Sequence, residues 1–320
     1  MTQAESISRE ARSDAEPNDP TDQVAASGEG ERAAAGHSHA VSLQASTTDT
    51  LSHFRTAHDF EAFGEFTSVE EFLALRSTAL QSGRSVFILG NGSNTLFARK
   101  TVGTAVLKNR LRRWIEPVDR NTVEVSSSCQ ISELIRYCNK QGLETCWYLA
   151  SVPATVGGAV AMNAGRGREH GITVMDFIQS VCFIDTDGHE QRVTPSELGV
   201  SYRNTRFTGV KPELITSVIM RFPDAETDED LARQRVRWAR EHQDHSGPNC
   251  GSVFKKASPG IIRRLRGFRL LPGAHYSRKT DNWIINRSKS HRPVLWLIRI
   301  VQLLHRVRRQ RAIPEVILVK

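Results

Sequence analysis

Fourteen consecutive residues, Val152-Pro153-Ala154-Thr155-Val156-Gly157-Gly158-Ala159-Val160-Ala161-Met162-Asn163-Ala164-Gly165, constrain the fold more than any other stretch. Seven of them are Gly or Ala and none is charged. Backbone stripped of bulk can approach another backbone or a flat ligand closely and offer it N–H and C=O groups. Composition does not separate the two cases, because a tightly packed helix start and a ligand-facing loop need the same small residues.

A second small-residue segment lies upstream. Ser85-Val86-Phe87-Ile88-Leu89 reads as a short buried strand and runs straight into Gly90-Asn91-Gly92-Ser93-Asn94. Two glycines in three residues permit positive φ angles, which turn successive N–H groups into one anion-binding concavity. A plain tight turn needs the same residues.

The surrounding pattern predicts mixed elements. Ser68 with Glu71 three residues on is a capping box before Phe72, Leu73 and Leu75. Thr122–Val125 and Leu214–Phe222 read as strands, and Ile131–Gln141 as a helix closed by Gly142. Asp185-Thr186-Asp187-Gly188 joins two short strands as a hairpin. Residues 294–310 read as a helix with Leu295, Ile298, Val301 and Val307 near one face and a basic back. Without regular βαβ alternation, the expected class is α+β.

Charge and composition bound the rest. Residues 1–52 hold nine Asp or Glu, three Arg and no Trp or Tyr, and the only Phe residues come later. They cannot bury enough apolar area to offset ordering, so a disordered acidic arm is expected there, carrying His37 and His39 with it. It has neither a secretory apolar centre nor the basic character of a transit peptide. No apolar run approaches the ~20 residues that span a bilayer. The five cysteines are widely spaced with no Cys-x-x-Cys, which predicts reduced thiols in a cytoplasmic protein and no structural metal. His242, His245 and Cys250 do not have an established ligand spacing.

The two small-residue segments, in this order, resemble the flavin-binding segments of the UDP-N-acetylenolpyruvoylglucosamine reductase family. The resemblance continues through Ser201-Tyr202-Arg203-Asn204-Thr205-Arg206-Phe207 and Cys250-Gly251-Ser252-Val253-Phe254-Lys255 to Pro314-Glu315-Val316. Five blocks in the right order are far more specific than any one of them. The resemblance implies an FAD-binding fold of the vanillyl-alcohol oxidase type. Residues 53–215 would form two α+β subdomains around FAD, and 216–320 an α+β substrate domain. It further implies FAD contacts from Leu89, Gly90, Asn91, Gly92, Ser93, Asn94, Pro153, Thr155, Val156, Gly157, Gly158, Met162, Asn163 and Gly165. Lys255 and Lys256 would meet the substrate.

The implied reaction reduces an enolpyruvyl ether of a UDP-linked sugar with NADPH, in peptidoglycan precursor synthesis. An electron-rich enol ether accepts hydride only if its carboxylate takes up the charge, and a guanidinium fork suits two such oxygens. Arg203 matches that role by resemblance, Ser252 the proton donor, and Glu315 a third catalytic position, protonated or orienting. Arg203 and Ser252 are 49 residues apart, similar to the family's shorter subtype. Lys256, Thr280 and Asp281 depart from the family pattern, and Asn91 replaces a glycine. Those departures also fit a paralogue reducing another unsaturated carboxylate. Residues 261–311 hold 14 Lys or Arg against Asp281, which keeps a flavin-free nucleic-acid-binding protein as a further alternative. The expected partners are the UDP-sugar and NADPH, without nucleic acid or membrane.

Overall fold

The computed structural model describes residues 41–166, 171–226 and 230–320. Strand β1 (Gln44–Thr48) pairs antiparallel with β2 (His58–Phe66), whose alternating burial puts His58, Phe60, Ala62 and Phe66 inside. Helix Val69–Gln81 follows, with Ser68 Oγ accepting from the Glu71 N–H as its sequence predicts. Then come β3 (Val86–Leu89), β4 (Thr95–Phe97), β5 (Thr101–Val102) and β6 (Ala105–Asn109). All but β4 join a sheet ordered β1-β2-β6-β3, with β2, β6 and β3 parallel and β5 beside β2.

A second sheet is antiparallel. It takes β7 (Ile115–Pro117) and β8 (Thr122–Ser126), and, after helices Ile131–Lys140 and Val156–Ala161, three later strands. The short pair β9 (Gly165–Arg166) and β10 (Ile172–Thr173) precedes β11 (Ile178–Ile184), β12 (Glu190–Val193) and β13 (Leu214–Arg221). The order is β12-β11-β13-β8-β7, with β11 and β12 joined by the Asp-Gly hairpin. Its core runs from Val123 and Val125 through Leu134 and Val160 to Val218 and Phe222.

The remaining chain packs around a third core of Val253, Phe254, Ile262, Tyr276, Ile284, Val294, Leu297, Ile298 and Val301. Helix Leu231–His242 puts Ala232 into the core of the antiparallel sheet; around the third core lie β14 (Phe254–Lys256), helix Pro259–Arg264, β15 (Ala274–Tyr276), β16 (Ile284–Asn286) and helix Arg292–Val307. Strand β17 (Ile313–Pro314) pairs with β14, and β18 (Ile317–Val319) returns to lie parallel to β4. The described residues form one compact unit.

Four expectations change. Residues 44–48, assigned to the acidic arm, form edge strand β1: pairing with β2 orders a polar run whose own composition gives no such signal. The earlier part of that arm lies outside the described residues. The expected boundary at 215/216 falls inside β13, so the antiparallel sheet continues to Arg221. Val307 is 76% exposed and sits opposite the buried face that Ile298 and Val301 share. His242 and His245 read from the sequence as a pair on one helix surface, but the helix ends at His242 and His245 lies beyond it.

His58 is fully buried; its Nδ1 donates to the Arg99 carbonyl, and in the neutral ring its Nε2 accepts from Thr56 Oγ1. Burial pushes its pKa down from 6.5 to about 4. A depressed histidine stabilises the fold above its unfolded pKa, and that contribution is lost as pH falls from 6.5 towards 4. The expected loss is about 2–3 kcal/mol, read from denaturant unfolding across that window. An NMR titration putting the His58 ring near 6.5 would contradict it. Val319, fully buried among Phe60, Phe97 and Val106, is expected to cost about 1–3 kcal/mol on truncation to Ala in the same unfolding measurement.

Candidate active site

The loop after β3 owes its shape to close approach. Gly92 has φ +69°, and a Cβ there would stand 2.0 Å from the Leu51 carbonyl oxygen. The Gly92 carbonyl accepts from the His53 N–H at 3.1 Å, the Asn94 carbonyl from the Ile317 N–H at 2.9 Å, and the Gly90 carbonyl from Lys108 Nζ. Among the described residues no protein acceptor takes the backbone N–H groups of Asn91, Gly92, Ser93 or Asn94. Four neighbouring donors in one loop suit an anion.

The second small-residue segment is clamped to the turn before helix Ile131–Lys140. The Gly157 N–H donates to the Ser127 carbonyl at 2.9 Å, and a Cβ on Gly157 would lie 2.9 Å from Ser127 Cβ. Val156 N–H donates to the Cys129 carbonyl, and Thr155 Oγ1 accepts from the Gly158 N–H at 3.1 Å. A Cβ on Gly90 would come within 2.8 Å of that same Thr155 Oγ1, so the two segments are pressed together. Asn91 ties them further: its Nδ2 donates to the Pro153 carbonyl at 3.1 Å and to Gln130 Oε1.

Both segments open onto a cleft of about 950 Å³, at the upper end for small-molecule sites. Leu89, Gly90, Asn91, Gly92, Ser93, Asn94, Pro153, Thr155, Gly158, Met162 and Gly165 line it. Val156, Gly157 and Asn163 do not: Val156 is core, Gly157 faces Ser127, and Asn163 is buried with φ +42°. The competing readings of this segment are therefore both realised, by different residues.

Arg203, Ser252 and Glu315, from three separate stretches, line the same cleft. Arg203 sits at φ +55°, in the left-handed region that a non-glycine residue enters at a cost of order 1 kcal/mol. Reciprocal backbone bonds between Ser201 and Asn204 hold that turn, and Thr205 and Thr208 hydroxyls fix it to the Ala161 carbonyl. Its guanidinium is 12% exposed; Nε donates to Glu315 Oε1 at 3.1 Å, Nη1 to the Asn163 carbonyl at 3.0 Å and Nη2 to the Gly165 carbonyl at 2.5 Å. Of five N–H groups, three are used, leaving one on each terminal nitrogen. Asn163 and Gly165 thus serve the arginine through their carbonyls.

Glu315 is placed from both sides. Its N–H donates to the Val253 carbonyl at 2.7 Å, one residue from Ser252, and its carbonyl accepts from Asn94 Nδ2 at 3.0 Å. Burial raises its carboxyl pKa, opposed by the Arg203 charge and hydrogen bond and by Lys255. Ser252 is positioned by a β-bridge to Trp283. Cys250 lies beside it, its thiol buried against Ser52 and the Thr95 carbonyl and pushed up to about 12, so it is no thiolate at neutral pH.

Lys255 reaches the Arg203 carbonyl at 3.4 Å, whereas Lys256 is exposed, and neither lines the cleft. Thr280 and Asp281 also stay outside it, whereas Asn91, the remaining departure, lines it: Thr280 Oγ1 accepts from the Asp244 N–H, and Asp281 pairs with Arg266. Arg235 and Arg240 line the cleft without having been singled out, His245, considered only as a metal ligand, lines it too, and Glu315 is the one carboxylate among the described lining residues. Arg235 packs its guanidinium over Trp238, 4.6 Å from the ring centroid. The signal in the sequence was the run of arginines with a tryptophan on Leu231–His242, which reads equally as a solvated face.

Comparison with known proteins agrees with this geometry. The FAD binding domain family matches residues 61–194. The chain is 32% identical over 209 residues to the UDP-N-acetylenolpyruvoylglucosamine reductase of Aquifex aeolicus, covering 63% of this chain and 68% of that one. The protein of that name from Syntrophotalea carbinolica is 31% identical over 252 residues, covering 76% of this chain and 82% of its own length. In three dimensions the chain is similar to the crystal structure of the Thermus caldophilus UDP-N-acetylenolpyruvylglucosamine reductase. The TM-score there is 0.70 at 24% identity, over 88% of this chain and all of that one. With an identity above 30% across more than two thirds of such relatives, the chain belongs to the UDP-N-acetylenolpyruvoylglucosamine reductase family.

Proposed function

We propose that this protein is a cytoplasmic FAD-dependent reductase that converts UDP-N-acetylglucosamine enolpyruvate to UDP-N-acetylmuramate with NADPH, in peptidoglycan precursor synthesis. The observation that carries the reading is the convergence of Arg203, Ser252 and Glu315 on the cleft bordered by the two small-residue loops. Five unpaired, buried cysteines support the cytoplasmic assignment. The loops fit FAD: free N–H groups of Asn91–Asn94 suit its diphosphate, and the bare backbone around Gly158 suits a flat ring. Held by the two loops, FAD would supply the hydride-transfer chemistry that links NADPH to the enolpyruvyl carbon.

The chain's own residues manage the charge that follows. Arg203, with one N–H left on each terminal nitrogen, receives the substrate carboxylate as negative charge moves onto its two oxygens. Two carbonyls and a carboxylate keep the fork from swinging, so little reorganisation is needed when the charge develops. The Ser252 hydroxyl donates the proton to the neighbouring carbon. Glu315 acts by orienting Arg203, whose Nε donates to its carboxylate. The substrate-side departures lie outside the cleft, and no observation favours a different unsaturated acid.

The test is anaerobic. NADPH is used to reduce the flavin, the UDP-enolpyruvyl sugar is added, and the visible spectrum is followed. Rapid reoxidation is expected; a flavin that stays reduced would overturn the substrate assignment. With Ser252→Ala, reduction by NADPH should be unchanged while reoxidation slows by about 10²–10⁴-fold. Arg203→Lys should slow reoxidation by about 10²–10³-fold, because an ammonium cannot keep three protein acceptors and a carboxylate fork together.

Glu315 makes a separate prediction. A carboxyl whose pKa is raised by burial stabilises the fold below its unfolded pKa, and this contribution is lost as pH rises through the folded value. Subtracting the stability-against-pH curve of Glu315→Gln from that of the natural chain should leave a difference that falls with rising pH from about 4.5 upward. A difference that rises instead would mean that the Arg203 charge outweighs burial.

A further inference from the structure

Helix Arg292–Val307 has two apolar faces. Val294, Leu297, Ile298, Val301 and His305 are buried, and His305 is fixed inward by donating from Nδ1 to the Val301 carbonyl and accepting the Ser258 N–H at Nε2. On the other side Trp296 is 44% exposed, Leu303 56%, Leu304 38% and Val307 76%. At 100° per residue these four and half-buried Ile300 share an arc of roughly 100°. A surface helix ordinarily turns charge to that side.

Arginines frame this outer arc. Arg292, Arg299 and Arg306 recur every seven residues and run along one edge, all exposed, with Arg299 over the Trp296 ring at 5.4 Å from its centroid. Arg308 and Arg309 continue beyond the last turn. Between residues 282 and 314 the sequence has eight Lys or Arg and no Asp or Glu. We infer that the outer face of helix Arg292–Val307 docks the protein on an anionic lipid bilayer surface, with Trp296, Leu303 and Val307 entering the headgroup boundary and the arginines meeting lipid phosphates.

Charge complementarity and the apolar arc together select this partner. A nucleic acid backbone would satisfy the arginines but leave Trp296, Leu303, Leu304 and Val307 without a partner, because phosphate contacts are made by charge and hydrogen bonds. A basic helix lying in the bilayer interface uses both. No helix among the described residues is long and apolar enough to cross a membrane, and docking needs none. The face is separate from the cleft, none of whose lining residues it shares, so its test is independent of the reductase assignment.

The experiment is co-sedimentation of the full chain with phosphatidylcholine vesicles, with and without about a third phosphatidylglycerol. Binding is expected only to the anionic vesicles, weakening with salt, with a blue shift of tryptophan emission that Trp296→Phe removes. Trp296→Ser/Leu303→Ser/Val307→Ser should weaken binding about tenfold or more while leaving the reductase reaction and the melting curve unchanged. Absence of binding to anionic vesicles, equal binding by the triple variant, or no change in the Trp296 contribution to emission would each overturn the inference. So would duplex DNA displacing the protein from the vesicles through this same face.

Discussion

A single ion pair joins the parts of this molecule that matter most. Arg203 stands on a turn tied to the second small-residue segment, and Glu315 on the stretch between β17 and β18, 112 residues away in sequence. Their contact is mostly shielded from water, and burying two charges is costly unless both are hydrogen-bonded. Here the backbone meets that condition. Asn163 and Gly165 supply carbonyls to the guanidinium, and Asn94 and Val253 grip the backbone of Glu315. The loop that carries Asn94, the segment carrying Ser252 and the turn of Arg203 are thereby held in one hydrogen-bonded frame.

The electrostatics of the cleft follow from this frame. Three arginines and one carboxylate among the described lining residues make it a cationic site, suited to a substrate and cofactors that all carry phosphate. That carboxylate, Glu315, is paired with Arg203, which leaves Arg235 and Arg240 as the unmatched positive charge of the cleft among the described residues. Rigidity comes from glycine in a specific sense. At Gly90, Gly92 and Gly157 the absent Cβ is replaced by a neighbouring oxygen or methylene at less than 3 Å. The loops are narrow because they are packed, and being packed they present their N–H groups in a fixed array.

Much of this was legible where the signal is local. The Ser68–Glu71 cap, the Asp185–Gly188 hairpin and the Gly142 stop each act within a few residues, and each appears as read. The five ordered blocks brought Arg203, Ser252 and Glu315 to attention because only co-occurrence is informative at such short motifs. What escaped depends on distant partners. Nothing in Gln44–Thr48 announces a strand, since its ordering comes from β2. Val156, Gly157 and Asn163 cannot be told from ligand-facing neighbours until Ser127 and Arg203 are beside them. Arg235 and Arg240 look like solvated helix cations until the cleft opens next to them. Val307 was assigned to the wrong face because the helix is apolar on two sides, and periodicity alone does not say which side meets the core.

The parallel pairing of β18 with β4 has a consequence for biosynthesis. Ile317 opposes Thr95, so the partner that completes this edge leaves the ribosome 222 residues after it. At 5–20 residues per second the wait is roughly 10 to 45 seconds. Throughout it the β18 side of β4 is unfilled, and the Asn94 carbonyl lacks the Ile317 N–H that it later receives. A nascent chain in that condition exposes an unpaired strand beside Phe97, a target for chaperones and for the same strand of another copy. The pocket is thus a late-closing structure, and crowded synthesis is where its architecture is most exposed to error.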